Sequence, residues 1–123
     1  MPDTKENQNG KHIMERAAVT THILDLESGS PAAGILVVLT LPDGVELQST
    51  TDSDGRIEAW GREFRLIQGD YQLTFEVGDY FQARSLHSFY QSIPVAFRVD
   101  GMREHCHVPL LLSPFGYSTY RGS

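Results

Sequence analysis

Cysteine is nearly absent from this chain. Cys106 is the single one, so no intrachain disulfide can form, and a reducing compartment is the easier setting. Lysine is scarce too: Lys5 and Lys11 are the only two, both in the first eleven positions. A basic excess is missing as well. Ten Lys and Arg against sixteen Asp and Glu leave a net charge of −6, which argues against a nucleic-acid partner, because a phosphate-reading surface needs clustered cations. No run approaches the roughly 18 apolar residues of a membrane span. The N-terminal residues lack the apolar stretch after a basic start that marks a secretory signal, and the final R-G-S is not the peroxisomal tripeptide. These absences lead to the expectation of a soluble, cytoplasmic protein without nucleic-acid or membrane partners.

What is present suits one globular domain: 123 residues, 40% apolar and 21% charged, enough to bury a core without staples. Residues 1–17 are polar and without clear period, and are expected to form a flexible arm ahead of a domain over 18–123. From Val19 onward, short apolar runs alternate with turn signals. V-T-T-H-I-L-D-L ends at E-S-G-S-P, G-I-L-V-V-L-T-L stops at P-D-G, and V-E-L-Q-S-T stops at D-S-D-G. Tyr71, Leu73, Phe75 and Val77 share one face of a strand by alternation, and Ile93, Val95, Phe97 and Val99 share one face of another. G-D-Y-F-Q-A-R-S-L between them predicts a short helix. The pattern as a whole is mainly β, a sandwich of seven or eight strands with one short helix.

The residues with chemical potential cluster near the end. In H-C-H-V-P-L-L-L, alternation puts His105, His107, Pro109 and Leu111 on one face and Cys106, Val108, Leu110 and Leu112 on the other. The second face is wholly apolar and belongs in a core, so the histidines point outward. His22, between Thr21 and Ile23, has the same outward option on the first strand. Three readings apply to these imidazoles: structural hydrogen bonding, a metal site built on H-x-H with a third histidine, or general acid–base catalysis, for which a side chain titrating near pH ~6.5 is suited. The metal reading lacks an Asp, Glu or Cys at matching spacing, and Cys106 faces the wrong way. Arg56, after the D-S-D-G turn, is either a surface arginine or a group that orients a planar anionic ligand and keeps a neighbouring imidazole neutral. The last seventeen residues carry a Ser-Pro/Gly turn and finish on Tyr120-Arg121-Gly122-Ser123 with no solvating tail, which suggests that the end itself is used.

Four blocks together resemble the transthyretin-related 5-hydroxyisourate hydrolases: T-H-I-L-D with G-S-P-A-A-G, then T-D-S-D-G-R-I, then F-Y-Q-S-I-P-V-A-F, and H-C-H-V-P-L-L-L-S-P-F-G-Y-S-T-Y-R-G-S, covering about residues 19–123. The resemblance implies a transthyretin-like β-sandwich of two four-stranded antiparallel sheets with one short α-helix. It also implies a homotetramer with active sites in a channel at the dimer–dimer interface. Matched residue by residue, it makes His22, Arg56 and His107 catalytic together with Ser123, and places Tyr120, Arg121 and Gly122 around the substrate with His105 behind His107. No cofactor and no metal are implied. Two departures, H-C-H where H-Y-H is usual and F-Y-Q where F-F-P or F-Y-P is usual, fall outside the matched catalytic positions.

The activity so implied is hydrolytic opening of 5-hydroxyisourate, a small-molecule substrate of urate degradation, to 2-oxo-4-hydroxy-4-carboxy-5-ureidoimidazoline. Water would attack a cyclic amide carbonyl, and an oxyanion would develop. His22 and His107 would activate that water, Arg56 would hold the substrate's polar edge, and Ser123 would help position the water. A terminal serine has no strained elbow and no oxyanion hole in the sequence, so a covalent Ser123 is not expected. The alternative is a transthyretin-like carrier without catalysis, which would be expected to line the same channel with apolar groups in place of His22, Arg56 and His107.

Overall fold

A computed structural model of the chain describes residues 17–101 and 103–123, so the expected arm over 1–17 lies almost wholly outside the described residues. In chain order the strands are β1 (Val19–Asp25), β2 (Ser30–Pro31), β3 (Leu36–Thr40), β4 (Glu46–Thr50), β5 (Arg56–Ile57) and β6 (Gly69–Phe75). The helix α1 (Val77–Gln82) follows, then β7 (Ile93–Val99), β8 (Cys106–Ser113) and β9 (Gly116–Thr119). One sheet runs β2-β1-β8-β9 with β5 paired to β1; the other runs β4-β3-β6-β7. The mainly-β reading with two sheets and one short helix therefore holds.

Two details of that reading are corrected. The first sheet has five strands, because the D-S-D-G turn sends the two-residue β5 back along β1. The sandwich is also not antiparallel throughout: β1 and β8 run parallel over seven pairs, from Val19–Cys106 to Asp25–Leu112. A parallel pair needs a long crossover, and here the entire second sheet serves as the connection. Alternation within each strand could not reveal that, since it reports faces and not partners.

Both alternating strands behave as their sequence dictates. On β6, Tyr71, Leu73 and Phe75 are buried. Val77 does not extend that strand; it starts α1, where the period changes so that Val77, Tyr80 and Phe81 stand at helical spacing and are all buried. The core between the sheets holds Val19, Ile23, Ile35, Leu39, Leu73, Phe75, Phe81, Ile93, Leu110 and Leu112, each essentially inaccessible. Each such side chain contributes about 1.5–3 kcal/mol through burial. Cys106 lies on this inner face, and burial pushes its thiol pKa up, so it stays protonated and inert near neutrality.

Among the described residues, one carboxylate is buried with these apolar groups. Asp25, at the end of β1, is 1% exposed. Its Oδ2 accepts a hydrogen bond from the Tyr80 hydroxyl at 2.7 Å, and its Oδ1 accepts from the backbone N–H of Glu27 at 2.8 Å and of Ser28 at 3.3 Å. The D-L-E-S turn after β1 is thus built on Asp25, and the helix is tied to the opposite sheet through Tyr80. The Arg84 guanidinium lies 3.6 Å from the Tyr80 ring centroid. Burial, then the hydrogen bond and the charge of Asp25, push the Tyr80 phenol from 10.0 up to about 12.

A folded-state pKa above the unfolded one means that this contribution to stability is whole below pH 10.0 and declines as pH rises toward about 12. Denaturant unfolding across that range is expected to show wild-type stability falling more steeply with pH than that of Tyr80→Phe. Near neutrality the variant should be less stable by about 1–3 kcal/mol, the cost of removing a buried partner of Asp25. Parallel pH slopes for the two proteins would contradict the assignment.

Candidate functional site

The outer face of the β1–β8 pair is where the chemically capable side chains collect. Thr20, His22 and Leu24 on β1 alternate with the buried Val19, Thr21 and Ile23, while His107, Pro109 and Leu111 on β8 alternate with buried Cys106, Val108 and Leu110. The parallel register sets Thr20 beside His107 and His22 beside Pro109. His22 and His107 are therefore diagonal neighbours on one face, roughly 8 Å apart by strand spacing and rise.

Arg56 reaches the same face from the other side of β1, directly opposite His22 in the antiparallel register with β5. The preceding turn fixes it there. Asp52 Oδ1 accepts from the backbone N–H of Asp54 at 2.9 Å and of Arg56 at 3.0 Å. The Gly55 carbonyl accepts from the Ile23 N–H at 2.8 Å. Gly55 has φ +74°, and a β-carbon on it would stand 2.5 Å from the Ile23 carbonyl oxygen. Only glycine fits both demands, so the D-G-R sequence docks Arg56 against His22 by backbone geometry alone.

The C-terminal segment closes the third side. β9 pairs with β8 through Leu110–Thr119, Thr119 Oγ1 donates to the Pro109 carbonyl at 2.7 Å, and a further bridge joins His107 to Gly122. The Gly122 N–H donates to the His107 carbonyl at 2.8 Å. A β-carbon at Gly122 would come within 2.6 Å of His107 Cδ2 and 3.2 Å of Pro109 Cγ. Glycine is what lets the tail lie flat against the imidazole. Tyr120, Arg121 and Ser123 flank it and are exposed, while His22, Arg56, His105 and His107 are half-buried.

The structure thus brings His22, Arg56, His107 and Gly122 to one sheet face, with Tyr120, Arg121 and Ser123 along its edge. His105 stands behind His107, its Nδ1 2.8 Å from the Ala17 carbonyl oxygen. One residue of this arrangement escaped the sequence reading. Thr20 is 2% exposed although it belongs to the outer face, and its Oγ1 lies 2.8 Å from His107 Nδ1 and 3.2 Å from His105 Nε2. The signal was present in T-T-H, since Thr20 and His22 must share a face; what could not be read was that β8 lies alongside. Among the described residues, no three His, Cys, Asp or Glu side chains are grouped so as to hold a metal ion. A groove of about 530 Å³ between Ala17–Ala18 and Trp60–Arg65 contains none of these site side chains.

Comparisons with known proteins bear on the family and the fold. Residues 19–122 match the model of the HIUase/Transthyretin family. The chain is 47% identical over 109 residues to the 5-hydroxyisourate hydrolase of Salmonella typhimurium, covering 85% of this chain and 80% of that protein. The structure of Klebsiella pneumoniae 5-hydroxyisourate hydrolase superposes with a TM-score of 0.75 at 37% identity, covering 87% of this chain and 94% of that one. Transthyretin from Sparus aurata superposes as well, at 0.76, but with 26% identity, covering 87% and 97%. Backbone likeness does not separate the 5-hydroxyisourate hydrolase from transthyretin; sequence identity is higher to the hydrolase.

Gly122→Ala is expected to shift the His107 imidazole signals in NMR spectra while thermal unfolding stays close to wild type, because the added methyl meets the ring and not the core. Unchanged His107 signals in the folded variant would show that the tail does not lie against the imidazole.

Proposed function

The chain belongs to the HIUase/Transthyretin family, and within it we propose that this protein is the enzyme, hydrolysing 5-hydroxyisourate to 2-oxo-4-hydroxy-4-carboxy-5-ureidoimidazoline in urate degradation. The observation that carries the reading is the convergence of His22, Arg56 and His107 on one outward sheet face, with Gly122 against the His107 ring. A carrier for an apolar ligand has no use for two imidazoles and a guanidinium in adjacent registers.

In this proposal one imidazole of the His22–His107 pair takes a proton from water, and the hydroxide adds to the ring carbonyl of the substrate. Arg56 offers paired N–H donors to the planar polar edge, where charge develops. Tyr120, Arg121 and Ser123 bound the substrate on the tail side, Ser123 with its hydroxyl near the attacking water. No cofactor takes part.

An open sheet face exposes every step to bulk water. We therefore extend the proposal to a homotetramer in which a second copy covers this face. The exposure of Tyr120 (56%) and the position of Pro109 and Leu111 among the polar groups support a face made to be covered. The proposed setting is the cytoplasm. Among the described residues no helix is long and apolar enough to cross a membrane.

When urate and urate oxidase generate 5-hydroxyisourate in the cuvette, this protein is expected to speed the loss of the intermediate's ultraviolet absorbance above spontaneous decay. His107→Ala and Arg56→Ala should each lower kcat/KM by about 10²–10⁴-fold with the assembly intact by size-exclusion chromatography. A His107→Ala enzyme within a few-fold of wild type would sink the mechanism. A folded, assembled wild type without acceleration would sink the activity and favour the carrier. Deleting residues 120–123 is expected to abolish turnover while the Tm moves by only a few degrees, since three of the four are exposed.

A further inference from the structure

Proline is out of place inside a sheet, because it has no N–H to give a neighbouring strand. Pro109 nevertheless sits within β8, with β1 on one side and β9 on the other. The hydrogen bonds show which side bears the loss. The Cys106 N–H and the Leu112 carbonyl are bonded on the β1 side, and so is the Val108 carbonyl, which accepts from Thr21 Oγ1. His107 and Pro109 alternate with these and turn to the β9 side. There the His107 carbonyl accepts from the Gly122 N–H, and the Pro109 carbonyl accepts from Thr119 Oγ1. The register that ends at Leu110–Thr119 resumes unchanged at His107–Gly122, which sets Tyr120 opposite Pro109 and Arg121 opposite Val108. Both of those pairs require an N–H at position 109 to reach the Tyr120 carbonyl, and neither is part of the ladder.

We propose that Pro109 is a positioning residue that makes Tyr120–Arg121 a hinge, so that Gly122–Ser123 acts as a strap over His107, lifting to admit substrate and release product and closing between those steps. The fixed end is Thr119, held by pairing with Leu110 and by its 2.7 Å bond to the Pro109 carbonyl. The latch is Gly122, whose N–H donates to the His107 carbonyl at 2.8 Å. Between them Tyr120 and Arg121 are exposed, so no packing opposes their rotation.

The latch lies where its movement matters. A β-carbon on Gly122 would stand 2.6 Å from His107 Cδ2, so the closed strap rests on that edge of the ring and brings Ser123 beside it. Lifting the latch uncovers the edge. With any residue other than proline at position 109, the N–H reaches the Tyr120 carbonyl, the two missing pairs form, and β9 runs without a break to Gly122. The strap then becomes the end of a strand. Proline is thus the residue that lets one segment be anchored at Thr119 and still movable at Gly122.

The role in turnover rests on the activity proposed above; the hinge does not. Opening is read from amide hydrogen exchange of ¹⁵N-labelled protein by NMR. In the wild type the Gly122 N–H is expected to be at least about tenfold less protected than those of Leu111 and Ser118, which face each other inside the ladder. Pro109→Ala and Pro109→Val both supply the missing N–H with different side chains, so an effect shared by the two belongs to the N–H. Each should raise Gly122 protection about tenfold and lower kcat by a similar factor, with a burst of about one turnover per site before the steady state, because release has become slow. A wild-type Gly122 amide as protected as Leu111 and Ser118 overturns the hinge without any variant being made. Folded variants with wild-type Gly122 exchange overturn the part given to Pro109. Variants with a tightened tail and wild-type kcat, or with lowered kcat and no burst, overturn the role in turnover. A wild type with a fast-exchanging Gly122 but no turnover would instead refute the proposed activity.

Discussion

Seven consecutive residue pairs hold β1 to β8 in parallel register, and almost every feature of the molecule can be traced to that pairing. It gives the first sheet its two central strands. It also aligns their faces, so that Val19, Thr21, Ile23 and Asp25 point inward together with Cys106, Val108, Leu110 and Leu112, while Thr20 and His22 point outward together with His107 and Pro109. A slip of β8 by one residue would turn His107 into the core and Leu110 and Leu112 toward water. The inward leucines and isoleucines, each contributing about 1.5–3 kcal/mol through burial, therefore also hold the outward imidazoles in position.

The ends of that pair are secured by contacts that double as supports for the site. At the start of β1, the Trp60 indole donates to the Val19 carbonyl at 2.8 Å, and the Cys106 N–H donates to the Ala18 carbonyl. Ala17 and Ala18 are thereby held where Ala17 can meet His105. At its other end, Asp25 collects two backbone N–H groups and the Tyr80 hydroxyl. A buried carboxylate is tolerated only when hydrogen-bonded in this way, and it ties the turn after β1 and the helix α1 to the end of the strand. Polar groups that stabilise and polar groups available for chemistry are thus separated by a single pleat.

Glycine marks two places at this site where backbone presses against backbone or ring. Gly55 brings the β5 turn onto Ile23 and so sets Arg56 opposite His22; Gly122 brings the tail onto His107. The first contact is main chain against main chain, and the second sets main chain against the His107 ring. The arrangement of the site is a consequence of main-chain docking, with the reactive side chains carried to their positions by register.

The sequence by itself determined which face of each strand is apolar, where the turns fall, and that His105 and His107 oppose the core, because alternation at period two is a local property of the backbone. The blocks around His22, Arg56, His107 and the terminal Tyr120-Arg121-Gly122-Ser123 were legible by resemblance; that β1, β5, β8 and the tail lie side by side was not. Only the tertiary structure decided who neighbours whom: that β1 runs parallel to β8, that Val77 leaves the strand for the helix, and that Thr20 lies under two imidazoles. Strand pairing joins residues more than eighty positions apart, as in Thr20 and His107. No local period encodes such a partner; it is chosen when two apolar faces are buried together, and the hydrogen bonds on the opposite face follow from that choice.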